Sequence, residues 1–147
     1  MEPTANSSSL RCVIVTPERA VLDETCDFIA VPMFDGELGV APGRLPLIGR
    51  LGFGELRIKK RGITARYYVD GGFVQIRQNA VTVLTQKAIK GEEIQIPAAE
   101  AALKAAQTPA ADAGTQEARL KAQQRARAQI RVAHHATDKP GLSLEGH

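Results

Sequence analysis

The chain has 147 residues, a net charge of only +3 from 19 basic and 16 acidic residues, no Trp and 4% aromatics. That length allows one ordinary domain, or a small domain with an appendage. The composition excludes a nucleic-acid binder, which concentrates positive charge and interleaves it with aromatics. Two cysteines, Cys12 and Cys26, lack CxxC spacing and further ligand residues. They read as small buried hydrophobes in a reducing compartment, not as a disulfide framework or metal site. The polar opening MEPTANSSSL lacks the apolar core of a signal peptide, and no apolar run is long enough to span a membrane.

Residues 1–9 are polar and Ser-rich, and a disordered tail is expected there. Short β-branched runs separated by turn residues follow. LRCVIVT (10–16) and RAVL (19–22) suggest a hairpin, and CDFIAVPM (26–33) a third strand. GELGV (36–40) is short and turn-bounded, and PLIGRLGFG (46–54) carries apolar residues between glycines. ELRIKKRG (55–62) and ITARYYVDGG (63–72) predict paired strands with a turn near Arg61-Gly62. FVQIRQN (73–79) alternates apolar and polar residues, and AVTVLTQKAI (80–89) is one β-branched run. Short strands at roughly ten-residue spacing predict an all-β sandwich or barrel.

The texture changes at Gly91-Glu92. IQIP (94–97) leads into AAEAALKAAQ (98–107), a helix-favouring run with Pro97 suited to its first turn. TPAADAG (108–114) reads as a loop, and residues 115–135 as a second helix with Thr115 as N-cap. Residues 138–147 are expected to fray. In the second helix, Ala118, Ala122, Ala126, Ile130 and Ala133 form a narrow stripe beside Arg119, Gln123, Arg127 and Arg131. Lys121 and Arg125 extend the basic side, and Glu117 is its one acid. Alanine buries little surface, so a weakly docked arm with a free cationic face is expected.

No constellation carries catalysis. Gly36, Gly39 and Gly43 are spaced GxxGxxxG, and Gly43 is followed by Arg44-Leu45-Pro46 in place of the Lys-Ser/Thr and helix of a phosphate loop. Dinucleotide spacing is missing as well. Adjacent His134 and His135 point apart on a helix and read as solvated, and His147 is terminal. The acid pairs Asp23-Glu24 and Glu92-Glu93 read as solvated turns. RIKKRG (57–62) reads as an edge-strand charge run that discourages aggregation. No catalytic, metal or cofactor site is assigned.

GELGVAPGRLPL (36–47), followed by YYVDGGFVQIRQNAVTVLTQKAIKGEEI (67–94), resembles the epsilon subunit of F-type proton-translocating ATP synthases. The resemblance is strong over residues 10–96 and weaker through the Ala/Arg-rich helix to about residue 135. It implies a β-sandwich domain (10–96) and a C-terminal α-helical hairpin (97–137), flanked by tails 1–9 and 138–147. It also implies a non-catalytic rotor subunit of the central stalk. Such a subunit is bound to gamma and the c-ring, couples proton flow to ATP synthesis and restrains ATP hydrolysis. Membrane association would be indirect, on the cytoplasmic side of the energy-transducing membrane. The arm of such a subunit lies folded on the sandwich or extends toward the catalytic head, where it meets an acidic loop of the beta subunit.

Carried onto this sequence, the resemblance makes Glu37 the first candidate for c-ring contact and Arg44 a second near the same surface, with Leu38 and Val40 packing. Many relatives have His or Asn where Arg44 stands, which leaves a charge contact there. Arg119, Lys121, Arg125, Arg127 and Arg131 become candidates for the acidic loop. Some relatives bind ATP through I-D-x-x-R-A, but the matching segment here is IPAAEA (96–101), with Pro97 for the acid and Glu100 for the base. Glu100 would repel phosphate, so weak ATP binding or none is expected by that route. The alternative reading, a freestanding nucleotide-sensing sandwich with a switching arm, is disfavoured on the same ground.

Overall fold

The computed structural model describes residues 9–107 and 116–137. Apart from Ser9, the expected terminal tails, the 108–114 loop, Thr115 as a cap and His147 lie outside the described residues.

Among the described residues, ten strands form two five-stranded sheets. They are β1 (Leu10–Val15), β2 (Ala20–Cys26), β3 (Phe28–Met33), β4 (Gly36–Val40), β5 (Leu47–Arg50), β6 (Phe53–Lys60), β7 (Ile63–Asp70), β8 (Phe73–Arg77), β9 (Ala80–Leu84) and β10 (Lys87–Lys90). The first sheet runs β2-β1-β9-β8-β5 and the second β10-β7-β6-β3-β4. Only β1 and β9 pair in parallel; the other pairs are antiparallel. A 3-10 turn at Gly91–Glu93 leads into α1 (Ile96–Gln107) and, beyond, α2 (Gln116–Thr137). Alternation along each strand decides which face is buried. Cys12, Ile14, Val74, Ile76, Val81 and Val83 of the first sheet meet Ile29, Val31, Leu56, Ile58, Tyr67 and Val69 of the second in one core. The sandwich followed by a helical pair is the architecture expected from the sequence.

Four local expectations are corrected. First, the run AVTVLTQKAI is two strands in different sheets, β9 and β10. Thr85 makes the corner between them. Its buried Oγ1 accepts from the Asp70 N–H at 3.3 Å, and its proton lies between the Asp70 and Lys87 carbonyls at 3.2 and 3.1 Å. The hydroxyl thereby satisfies backbone groups that a continuing ladder would have used. Second, RIKKRG is not on an edge: β6 lies between β3 and β7. Its turn has positive φ at Arg61 (54°) and Gly62 (81°), the geometry that suits a two-residue hairpin.

Third, Asp23 and Glu24 lie within β2, not at a turn. Asp23 accepts both Arg11 nitrogens at 3.0 and 2.8 Å, and Glu24 pairs with Lys60 at 3.5 Å. Fourth, the alanine stripe is only partly the buried one. Ala126 and Ala133 are buried, but Ala118 and Ala122 are exposed. α2 contacts both α1 and the second sheet, so it buries two adjacent stripes where the sequence suggested one narrow row. Cys12 and Cys26 are free and buried, as expected. The hydrogen bond to Cys26, together with burial, pushes the Cys12 thiol far up, which makes it inert.

Candidate functional site: the docked arm and the exposed sandwich surfaces

The outer face of the second sheet is covered by the arm. Along α2, Arg125, Ala128, Val132 and His135 recur at three- and four-residue spacing, which brings them to one side of the helix. Ala128, Val132 and Ala133 pack on Tyr68 and Ile94, with Phe53, Ile89 and Ile96 around them. Val132 was missed by the sequence reading, where alanines dominated the pattern. No local signal singled it out, since Ile130 stands in the same relation to Ala126. Gly91 completes the seat. A Cβ there would come within 2.5 Å of the Ala136 methyl and 3.2 Å of the Arg66 carbonyl.

Polar contacts clamp the two ends of this seat. Arg125 Nε donates to Asp70 Oδ2 at 2.9 Å, and its guanidinium lies 5.0 Å from the centre of the Phe53 ring. Tyr68 also donates to Asp70 Oδ2, at 3.0 Å. Burial and the Asp70 carboxylate push the Tyr68 phenol well above its ordinary range, so it stays a donor. Farther along α2, His135 Nδ1 lies 2.9 Å from Glu55 Oε2. His135 was expected to be solvated; it instead reaches the sandwich. Gln123 Nε2 donates to the Ala106 carbonyl of α1 at 3.0 Å.

The five arm cations therefore differ in placement. Arg125 is engaged with the sandwich, and Arg119 is half-buried. Lys121, Arg127 and Arg131 are exposed. Glu37 sits near the Phe34-Asp35 turn, opposite Pro32, and accepts both terminal nitrogens of Arg57 at 2.7 and 3.2 Å. That pairing and the neighbouring Glu55 hold the Arg57 guanidinium above its usual value. Leu38 and Val40 pack inward, as expected. Arg44 is exposed in the loop beyond the far end of β4, where the Gly43 N–H donates to Asn79 Oδ1 at 2.7 Å. Glu37 and Arg44 thus lie toward opposite ends of β4 and share no turn.

No described helix covers the outer face of the first sheet. Phe73 and Leu84 stand opposite each other on β8 and β9, 55% and 49% exposed, and Ile48 on β5 is 72% exposed. Arg50, paired with Phe73 across the strands, stacks 5.2 Å from the Phe34 ring centre at the tip. Among the described residues no cluster of His, Cys, Asp or Glu could hold a metal ion. No described helix is long and apolar enough to cross a membrane.

A two-sheet sandwich with a helical pair laid on one outer face is the class of protein that this fold defines. The family described as ATP synthase, Delta/Epsilon chain, beta-sandwich domain matches residues 9–91, more than half of the chain. An ATP synthase epsilon chain of Rhodopirellula baltica is 59% identical over 81 residues, 55% of this chain and 63% of that relative. One of Nitratidesulfovibrio vulgaris is 38% identical over 131 residues, 87% of this chain and 98% of the relative. A chain from the Euglena gracilis mitochondrial ATP synthase (OSCP/F1/c-ring) superposes with a TM-score of 0.64 at 20% identity, covering 95% of this chain and 82% of that one. A chain from the Tetrahymena thermophila mitochondrial ATP synthase central stalk/c-ring also gives 0.64, at 14% identity, covering 84% and 96%; these two likenesses show the fold. The chain belongs to the ATP synthase delta/epsilon family, and the relatives it matches in sequence are epsilon chains.

Proposed function

We propose that the chain is the non-catalytic epsilon-type subunit of a rotary ATP synthase. It links the gamma subunit to the c-ring in the central stalk and is peripheral on the cytoplasmic side of the membrane. The observation that carries the reading is the asymmetry of the sandwich: one outer face is covered by its own arm, while the other leaves Ile48, Phe73 and Leu84 in water. An apolar patch of this kind marks a partner surface, and gamma is its occupant. Glu37, with exposed Phe34 beside the same tip, belongs with the ring.

Charge reversal separates the two roles of Glu37. The pair with Arg57 is partly exposed and contributes about 0.2–1 kcal/mol. Glu37→Lys is therefore expected to shift the melting temperature of the free protein by no more than about 5 °C. The same change is expected to reduce coupling of proton flow to synthesis in the assembled enzyme. Unchanged assembly and coupling would remove Glu37 from the ring contact.

The arm supplies regulation. Lys121, Arg127 and Arg131 are exposed in the folded state, and Arg125 and Arg119 join them when α2 leaves the sheet. Several cation–carboxylate pairs at about 0.2–1 kcal/mol each bias such an arm toward the acidic loop of the beta subunit without locking it. The test is ATP hydrolysis by the assembled enzyme with this chain full-length or truncated after Ile96. Truncation is expected to raise hydrolysis several-fold, within the roughly 5–150-fold range of typical coupling. Equal rates would rule out restraint by the arm while leaving the stalk role intact.

A further inference from the structure

Glu37 and the arm stand at two ends of one row of charged side chains on the second sheet. Arg57 Nη1 lies 2.7 Å from Glu37 Oε2 and 3.6 Å from Glu55 Oε1. Glu55 Oε2 lies in turn 3.1 Å from Arg66 Nη1 and 2.9 Å from His135 Nδ1. The row runs from β4 through β6 and β7 to α2. Glu55 is its shared acceptor, with a side chain only 14% exposed. Carboxylates accept and do not donate, so His135 Nδ1 carries the proton in its bond to Glu55. Arg57 uses both terminal nitrogens on Glu37. It therefore holds Glu37 at hydrogen-bond distance and reaches Glu55 only through the longer 3.6 Å ion pair.

We propose that this row is a relay between the tip of the sandwich and the arm, in which Arg57 chooses between Glu37 and Glu55. When a cation or amide donor of a stalk partner takes Glu37, Arg57 turns onto Glu55. Glu55 then holds two guanidinium groups at hydrogen-bond distance where only Arg66 is so close now, and its hold on His135 weakens. The final turns of α2, seated on Gly91, loosen as a result. The arm then senses whether the tip is engaged, although the two surfaces share no contact. The relay deepens the stalk reading and rests on it for the identity of the partner at Glu37.

A double-mutant cycle tests the relay in the free full-length protein, with no partner present. The readout is amide hydrogen exchange across residues 126–136, with the sandwich strands as an internal control. Glu37→Ala frees Arg57 and is expected to speed exchange of these amides about 2- to 5-fold while the strands are unchanged. In a His135→Ala background the same substitution is expected to change exchange by a factor near one. It is expected to do the same in an Arg57→Met background, where the relay is cut in the middle. Equal acceleration with and without His135, or no acceleration in either, overturns the relay. Because no ring or gamma is present, that failure is distinct from failure of the ring contact, which Glu37→Lys reads in the assembled enzyme.

Discussion

Gly72→Ala is expected to cost the sandwich about 3 kcal/mol or more and to lower its melting temperature by about 10 °C or more. Gly72 lies between β7 and β8 with φ +107°, a conformation that an L side chain rarely adopts. Space is the larger problem. A Cβ there would lie 1.9 Å from the Leu84 carbonyl oxygen and 2.8 Å from the Thr85 Cα, both backbone atoms. No rotamer can relieve a clash with backbone, so the β7–β8 connection or the end of β9 must move. Neither has much room: the Leu51 N–H donates to the Gly72 carbonyl at 2.9 Å, and Thr85 fastens the corner to Asp70 and Lys87. Gly71, also at positive φ, has open surroundings and meets only the Gln86 side chain at 3.9 Å. Gly71→Ala is therefore the control, carrying backbone strain without the clash. Thermal melts of the two variants read the difference directly. Equal, small shifts would show that the corner is softer than its hydrogen bonds imply.

Val132→Asp is expected to release the arm and leave the sandwich standing. Val132 is 1% exposed between α2 and the second sheet, near Tyr68 and Ile94. An unpaired carboxylate held there would cost several kcal/mol. Undocking α2 costs less, because its apolar contact is small: one valine, worth about 1.5–3 kcal/mol when buried, and a few alanines. A freed helix of this kind is marginal in water, so its basic residues become open to trypsin. Cleavage after Arg125, Arg127 and Arg131 is expected to accelerate about tenfold or more, since 1.4 kcal/mol is a factor of ten. The melting temperature of the sandwich should stay within a few degrees of its parent. Val132→Ala should fall between the two. Unchanged proteolysis in Val132→Asp would mean that the clamps at Arg125 and His135 hold α2 without its apolar face.

These two positions differ in how far they could be read before the fold was known. The pair Gly71-Gly72 stands within YYVDGGFVQIRQNAVTVLTQKAIKGEEI (67–94), one of the two stretches that carry the family resemblance, so the pair itself was visible. Which glycine lacks room, and against what, was not: Leu84 and Thr85 lie in a different strand and at a different corner. Val132 is one valine in a helix of alanine and arginine. Nothing local distinguishes it from Ile130, which is only half-buried.

The sequence by itself determined the β-strands in outline, the hairpin at Arg61-Gly62, the two helices after Gly91 and the buried state of the cysteines. These follow from local rules: β-branched alternation, turn residues with special φ, alanine-rich helix propensity and the hydrophobicity of an unligated thiol. It also determined family membership, through two loop signatures read together. Tertiary structure decided the rest. It split one β-branched run between two sheets, because the Thr85 hydroxyl could take up the backbone groups of Asp70 and Lys87. It moved RIKKRG from an edge to the sheet interior, because strand order is set by which long-range pairs close the sandwich. It set Glu37 apart from Arg44, and it drew His135 and Arg125 from solvent onto Glu55 and Asp70. Charge partners of this kind are separated by up to 80 residues in the chain. Their pairing is a property of the distance between surfaces, which no local pattern encodes.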